Sequence, residues 1–268
     1  MSYKTIATVV MPDADALEAA IGCAARWGAH LDVTMVGRSQ IDIPAMISPD
    51  LAVTGAVFLE ESRAELDKMA QRIRKRLTRE DIAWALDDDS GRTADFITGL
   101  VRAIRMADLV ILPHPGASKG DTAVSVLEAV LYNSRVPILL VRGADTPTLE
   151  SAVLAWDGND VALAAIRAAM PLLKQSGRAE IVTIDPPHDT TGRDLAVMLE
   201  RQGVDASIAT LPRGGRRISE VLCDHVREQG ADLLVMGAYG TRRLREVLLG
   251  GVTRDFLDTA PVPLLLAR

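Results

Sequence analysis

The sequence predicts two tandem doubly wound α/β modules, each a five-stranded parallel sheet of order 3-2-1-4-5 flanked by helices. Three observations carry this reading. Short apolar runs of β type alternate with segments of helical period along the whole chain. Several of the runs, among them Leu109–Leu112, Leu233–Met236 and Leu264–Ala267, are continuously apolar, as strands covered on both faces require. The pattern also occurs twice, and the two copies share sequence in the same order.

The duplication rests on three matches. Ala107-Asp108-Leu109-Val110-Ile111-Leu112 returns as Ala231-Asp232-Leu233-Leu234-Val235-Met236. Val136-Pro137-Ile138-Leu139-Leu140-Val141-Arg142 returns as Val262-Pro263-Leu264-Leu265-Leu266-Ala267-Arg268. Ala19-Ala20-Ile21 matches Ala164-Ala165-Ile166 near the start of each half. Between the halves, Gly143-Ala144-Asp145-Thr146-Pro147-Thr148 has the Gly, Pro and polar character of a connector, which sets the modules at 1–143 and 149–268.

In the first half, strands are expected near 5–11, 31–37, 82–87, 108–112 and 137–141, and helices near 14–27, 57–78, 92–106 and 121–134. In the second, strands are expected near 152–156, 179–184, 204–210, 232–236 and 263–267, and helices near 160–175, 191–202, 216–229 and 252–259. Strand–helix–strand alternation implies right-handed crossovers and parallel pairing. The helix near 57–78 carries Arg63, Lys68, Arg72, Arg74, Lys75, Arg76 and Arg79 among acidic residues. It reads as a solvated helix with ion pairs one turn apart, or as a basic docking face.

Composition narrows the function classes. Of 268 residues, 48% are hydrophobic but only 3% aromatic, so the core is aliphatic. The net charge of −6 divides evenly between the halves and argues against a nucleic-acid or anionic-lipid surface. Cys23 and Cys223 lie in apolar helical patterns without a C-x-x-C pair or a histidine at ligand spacing, so both are expected to be buried structural thiols. No metal site is expected. His30, His114, His188 and His225 are isolated in sequence and are expected at the surface or in loops. With no signal-peptide pattern and no apolar stretch of membrane-spanning length, a cytoplasmic protein without a membrane partner is expected.

In a parallel sheet of this order, ligands bind beyond the carboxyl ends of the first and fourth strands. In the second half these ends read Leu154-Ala155-Trp156-Asp157-Gly158-Asn159 and Val235-Met236-Gly237-Ala238-Tyr239-Gly240. An acidic side chain there can accept hydrogen bonds from a ribose or an adenine amino group, and glycines let backbone approach phosphate. Asp157 is alternatively a helix N-cap, a job Asn159 would do equally well. The glycines alternatively turn the chain or permit close packing. Gly250-Gly251-Val252-Thr253 opens the last helix, where free N–H groups attract anions.

The run Gly237-Ala238-Tyr239-Gly240, nine residues, then Gly250 resembles the Gly-x2-Gly-x9-Gly-(Ser/Thr) ATP motif of universal stress proteins, and the flanks ADLLVMG and APVPLLLAR resemble the family's. The resemblance covers the chain as two copies, strongly in the second. It implies a stress-response protein with ATP, with or without Mg, as cofactor. It also implies that Asp157 contacts ribose or adenine, that Ala155 and Ile184 frame the base, and that Met236 and Gly237 floor the crevice. Gly240, Gly250, Gly251 and Val252 would contact phosphates. The final Ser or Thr of the motif is Gly251 here, and Arg242, Arg243, Arg245 or Thr253 would have to replace its hydroxyl. As implied partners, the two modules pair through their last strands, as single-module relatives pair in a homodimer, and a homodimer of the whole chain stays open.

The first half departs from the motif. Pro12 is expected opposite Asp157, Pro113-His114-Pro115-Gly116 replaces Gly-x-x-Gly, and Val124-Ser125 falls opposite Gly250-Gly251. No ATP is expected there. No catalytic residues can be assigned, since no Walker, G-x-S-x-G or H-E-x-x-H pattern occurs. The competing functions are a nucleotide-binding regulator with at most slow ATP hydrolysis, an interaction module that binds no nucleotide, and an ATP-dependent transferase or hydrolase.

Overall fold

The computed structural model describes residues 2–37, 52–88, 96–117, 122–186, 190–238, 256–257 and 259–268. In the first repeat, strands β1 (Thr5–Val10), β2 (His30–Met35), β3 (Trp84–Asp87), β4 (Leu109–Pro113) and β5 (Ile138–Val141) alternate with helices α1 (Leu17–Trp27), α2 (Ala52–Leu77), α3 (Phe96–Ile104) and α4 (Thr122–Asn133). In the second, the order is β6 (Ala152–Ala155), α5 (Asp160–Ser176), β7 (Arg178–Ile184), α6 (Thr190–Arg201), β8 (Asp205–Leu211), α7 (Ile218–Gln229), β9 (Leu233–Gly237) and β10 (Leu264–Ala267). Strand order is β3-β2-β1-β4-β5 in the first repeat and β8-β7-β6-β9-β10 in the second. Both are the expected 3-2-1-4-5.

One compact unit comprises Tyr3–Val136 with Gly143–Thr146. Its strands β1, β2, β3 and β4 pair in parallel. β4 is buried along its length and β1 beyond its first residue, which is why their sequences are apolar without alternation. Ala19, Ala20, Cys23 and Ala24 of α1, and Ile73 and Leu77 of α2, are among its buried side chains. Burial pushes the Cys23 thiol up to about 12. Three basic side chains of α2 have acidic partners: Arg76 pairs with Glu18 at 2.7 Å and with Glu80 one turn on, Arg74 with Asp88 at 2.6 Å, and Arg72 with Asp15 at 3.9 Å. For these three the pairing is that of the ion-paired reading, and Arg76–Glu80 is a pair one turn apart.

The other unit holds Pro147–Arg268 together with Pro137–Arg142. Here β7–β8, β6–β7, β6–β9 and β9–β10 are parallel. The strand β5 runs antiparallel to β10, with Leu140 opposite Leu264 and Ile138 opposite Leu266. All of the residues so paired are buried, so β10 is covered on both sides. The last strands of the two repeats therefore pair within this unit. Cys223 is buried beside Thr259, and burial raises its thiol.

The repeated Ala-Asp-Leu has a shared physical cause. Asp108 accepts hydrogen bonds from the backbone N–H groups of Lys4 (2.7 Å) and Thr5 (3.0 Å), and Asp232 from those of Glu150 (2.8 Å) and Ser151 (3.0 Å). Each carboxylate thus satisfies the entry of the first strand in its repeat, and it fixes that strand's register against the fourth.

One histidine, His225, differs from the sequence expectation, while His114 lies in a loop as expected but is buried there. His114, directly after β4, is fully buried, and His225 on α7 is buried with its Nε2 2.6 Å from Glu180 Oε2 of β7. A carboxylate on the facing strand is what admits an imidazole to the interior. His188 lies outside the described residues. Among the described residues no helix is long and apolar enough to cross a membrane.

Candidate functional site

The candidate site is built at the carboxyl ends of β7, β6 and β9. β6 ends at Ala155, and the Trp156 N–H still donates to Val182 O at 2.9 Å, so the chain leaves the sheet only at Asp157. The turn runs through Gly158, whose φ of +83° only glycine adopts readily. Asn159 then caps α5: its Oδ1 accepts from the Ala162 N–H at 2.8 Å. Of the two capping alternatives the structure uses Asn159. Asp157 is exposed, and it accepts from the Asn159 N–H at 3.2 Å and from Asn159 Nδ2. One asparagine thus starts the helix and orients the carboxylate. The outer lone pairs of Asp157 remain open to an incoming hydroxyl or amino group.

Register shows which predicted residues share a face. Val153 pairs with Leu234 and Ala155 with Val182, and residues paired in register lie on one side of a parallel sheet. By alternation Ala155, Ile184 and Met236 lie on one face, with Asp157 continuing it. Ala155 and Ile184 are half-buried and Met236 is buried. The three form an apolar wall beneath an exposed acid.

Gly237 belongs to the opposite face. A Cβ built on it would stand 2.7 Å from the Ala162 nitrogen and 2.8 Å from the Val161 carbonyl carbon. Its lack of a side chain lets β9 meet the first turn of α5 backbone to backbone. This is the close-packing alternative among those open for the glycines, and it seats Asn159 and Asp157 beside β9. Gly240, Gly250, Gly251 and Val252 lie outside the described residues, as do Arg242, Arg243, Arg245 and Thr253.

Two neighbours carried no sequence signal. Asp185, one residue beyond β7, is the single described non-glycine with positive φ (+43°), and its Oδ1 accepts from the Arg213 N–H at 3.2 Å. Trp156 is half-buried, its indole nitrogen shielded from solvent. Neither an aspartate before a proline nor a single tryptophan at a strand end announces such a role.

The equivalent place in the first repeat is built differently, and one expected equivalence is corrected. Asp108 and Asp232 anchor Thr5 and Ser151 at corresponding positions, and counting on equally from both brings Met11, not Pro12, opposite Asp157. Sequence alignment misplaced the pair because the β1–α1 connection is longer than the β6–α5 connection. Met11 is 1% exposed, an apolar side chain where the second repeat presents a carboxylate. Pro113 closes β4 where Gly237 closes β9, and Pro115–Ala117 fold into a 3-10 turn. Val124 and Ser125 are half-buried in the first turn of α4.

Among the described residues no group of three or more His, Cys, Asp or Glu side chains is placed to hold a metal.

Comparison with known proteins gives consistent matches. Residues 207–268 match the model of the universal stress protein family. Universal stress protein YxiE of Bacillus subtilis (strain 168) is 27% identical, over 43% of this chain and 97% of its own. A universal stress protein from Archaeoglobus fulgidus DSM 4304 superposes with a TM-score of 0.74 at 16% identity, over 98% of this chain and 96% of that one. A Pseudomonas aeruginosa UCBPP-PA14 protein superposes at 0.59 with 15% identity, over 99% and 93%. At these identities the two structures establish the fold. The chain is thus similar in sequence to universal stress proteins over the matched stretches, and its internal duplication is consistent with a two-module arrangement.

Proposed function

We propose that the second module binds ATP at the carboxyl ends of β6 and β9, and that the protein acts as a nucleotide-responsive regulatory or protective switch rather than as an efficient catalyst. The observation that carries this is the exposed Asp157 carboxylate, oriented by Asn159 above the apolar wall of Ala155, Ile184 and Met236. An acid over an apolar slot suits a nucleoside: hydroxyl or amino donors meet the carboxylate while the base lies against aliphatic carbon. In this reading Gly240, Gly250, Gly251 and Val252 receive the phosphates, and Gly251 contributes an N–H where the family motif supplies a hydroxyl. Losing that hydroxyl costs about 0.5–1.5 kcal/mol for an ordinary hydrogen bond and about 1.5–3 for one to a charged group, unless an arginine replaces it. Mg enters only as a companion of the phosphates. Slow hydrolysis is the most that this reading asks of the site.

Titration calorimetry of purified protein with ATP, with and without Mg, tests the proposal, together with mass spectrometry of nucleotide released from fresh protein. Saturable binding that Gly240→Val removes is expected. No heat at millimolar ATP from folded protein overturns it.

The close approach of Gly237 to α5 favours a second reading, since that glycine is accounted for by packing without any ligand. On that reading the module works through protein contacts and binds no nucleotide, and the same calorimetry decides between them.

A further inference from the structure

We propose that the open edge of β8 is a self-association surface, on which a second copy of this chain adds its own β8 in antiparallel register centred on Ile208. Among the described residues β8 is the last strand on its side of the sheet. Its ladder to β7 runs without a bulge through all seven of its residues, from Arg178–Asp205 to Ile184–Leu211. Two bonds fix the phase of that ladder: the Asp205 N–H donates to Gly177 O, and the Leu211 carbonyl accepts from the Asp185 N–H. Asp205, Ser207, Ala209 and Leu211 therefore turn their backbone groups toward β7, and Ala206, Ile208 and Thr210 turn theirs to the open side.

Natural sheet edges are blunted by shortness, charge, proline or a bulge. The outer strand of the first repeat follows that rule: β3 has four residues and closes on Asp87, with Asp88 next in the chain paired to Arg74. In β8 the one charged residue among seven is Asp205, at the first position. Ile208, at the centre, is 40% exposed although its register partner Ile181 is fully buried. Symmetry selects the occupant. Because the central residue presents its backbone outward, two β8 strands related by a two-fold axis pair Ile208 with Ile208 and Ala206 with Thr210. Every outward N–H then meets an outward carbonyl of the other copy, and the two Ile208 side chains lie together on one face. The same register sets Asp205 diagonal to the exposed Arg213 of the second copy, while Arg178, the register partner of Asp205, lies one strand farther in. The chain already uses antiparallel edge pairing of this kind where β5 covers β10.

Sedimentation of the whole protein over the micromolar range, beside Ile208→Lys, tests the association, and oxidative cross-linking of Ile208→Cys and Ser207→Cys tests the register. Cys23 and Cys223 are buried, so they contribute little background. The expected result is a concentration-dependent dimer that Ile208→Lys weakens at least about tenfold, since it sets like charges opposite each other across the axis. Thermal unfolding of dilute Ile208→Lys should stay nearly unchanged. Ile208→Cys should form a covalent dimer, because a hydrogen-bonded antiparallel pair stands about 5.5 Å apart between Cα atoms, within disulfide reach. Ser207→Cys, which this register places opposite Ala209, should not. A monomer at every concentration overturns the proposal. So does a dimer that Ile208→Lys leaves intact, or cross-linking of Ser207→Cys as efficient as that of Ile208→Cys. Should Ile208→Lys lower the unfolding midpoint, the cross-linking pair decides.

Discussion

The turn that follows β6 and the turn that follows β1 start from the same fold and end with opposite chemistry. After β6, a glycine at φ +83° and a capping asparagine present Asp157 to solvent. After β1, Met11 turns inward to 1% exposure, and α1 begins behind Ala16 with no side-chain cap. After the fourth strands, Gly237 admits the α5 backbone, whereas β4 closes on Pro113. The strand-entry aspartates, Asp108 and Asp232, are the same in both repeats. Residues that hold the sheet together have been kept in duplicate, and those that shape the crevice have diverged.

Placing a carboxylate in the first repeat should have the largest effect. Met11→Asp puts a charge into a buried position and is expected to destabilise by about 3–5 kcal/mol, read from urea unfolding. It should create no ATP site. Asp157→Ala, at an exposed position, is expected to leave unfolding nearly unchanged and to weaken ATP binding by about 1.5–3 kcal/mol in calorimetry. A stability loss as large as that of Met11→Asp would break the comparison.

Gly237→Ala should cost about 1–3 kcal/mol, because the new methyl group meets backbone rather than a movable side chain. For the shared element the expectation is symmetry: Asp108→Ala and Asp232→Ala should each destabilise by about 1–3 kcal/mol. A modest loss of stability is expected from Asn159→Ala, about 1 kcal/mol for the lost cap, accompanied by weaker ATP binding as Asp157 loses its orientation.

The fold was legible because its signals are long and redundant. Continuous apolar runs mark the doubly covered central strands, and three matches in the same order between the two halves mark the duplication. The crevice was legible only as positions. Ala155, Ile184 and Met236 share one face at the carboxyl ends of β6, β7 and β9, but whether Asp157 or Asn159 capped α5 depended on a turn geometry that either residue could adopt. Gly237 looked like a ligand glycine, while its described contact is with Ala162 and Val161. Pro12 stood in for Met11 because matching loops of unequal length cannot fix a register that hydrogen bonds at the strand entry do. His225 was unreadable without its partner Glu180, which is distant in sequence and joins it only through packing of α7 on β7. Asp185 and Trp156 depend on a single dihedral angle and a single shielded atom, for which no residue pattern exists.

The central claim is one nucleotide site per chain, in the second module. Calorimetric stoichiometry tests it most directly, with ATP titrated into the whole protein, into Asp157→Ala, and into Asp13→Ala, Asp13 being the acid that follows Met11 and Pro12 in the first repeat. The account predicts one ATP per chain, lost or strongly weakened in Asp157→Ala and unaltered in Asp13→Ala. Two ATP per chain, or binding that survives Asp157→Ala unchanged, would contradict it.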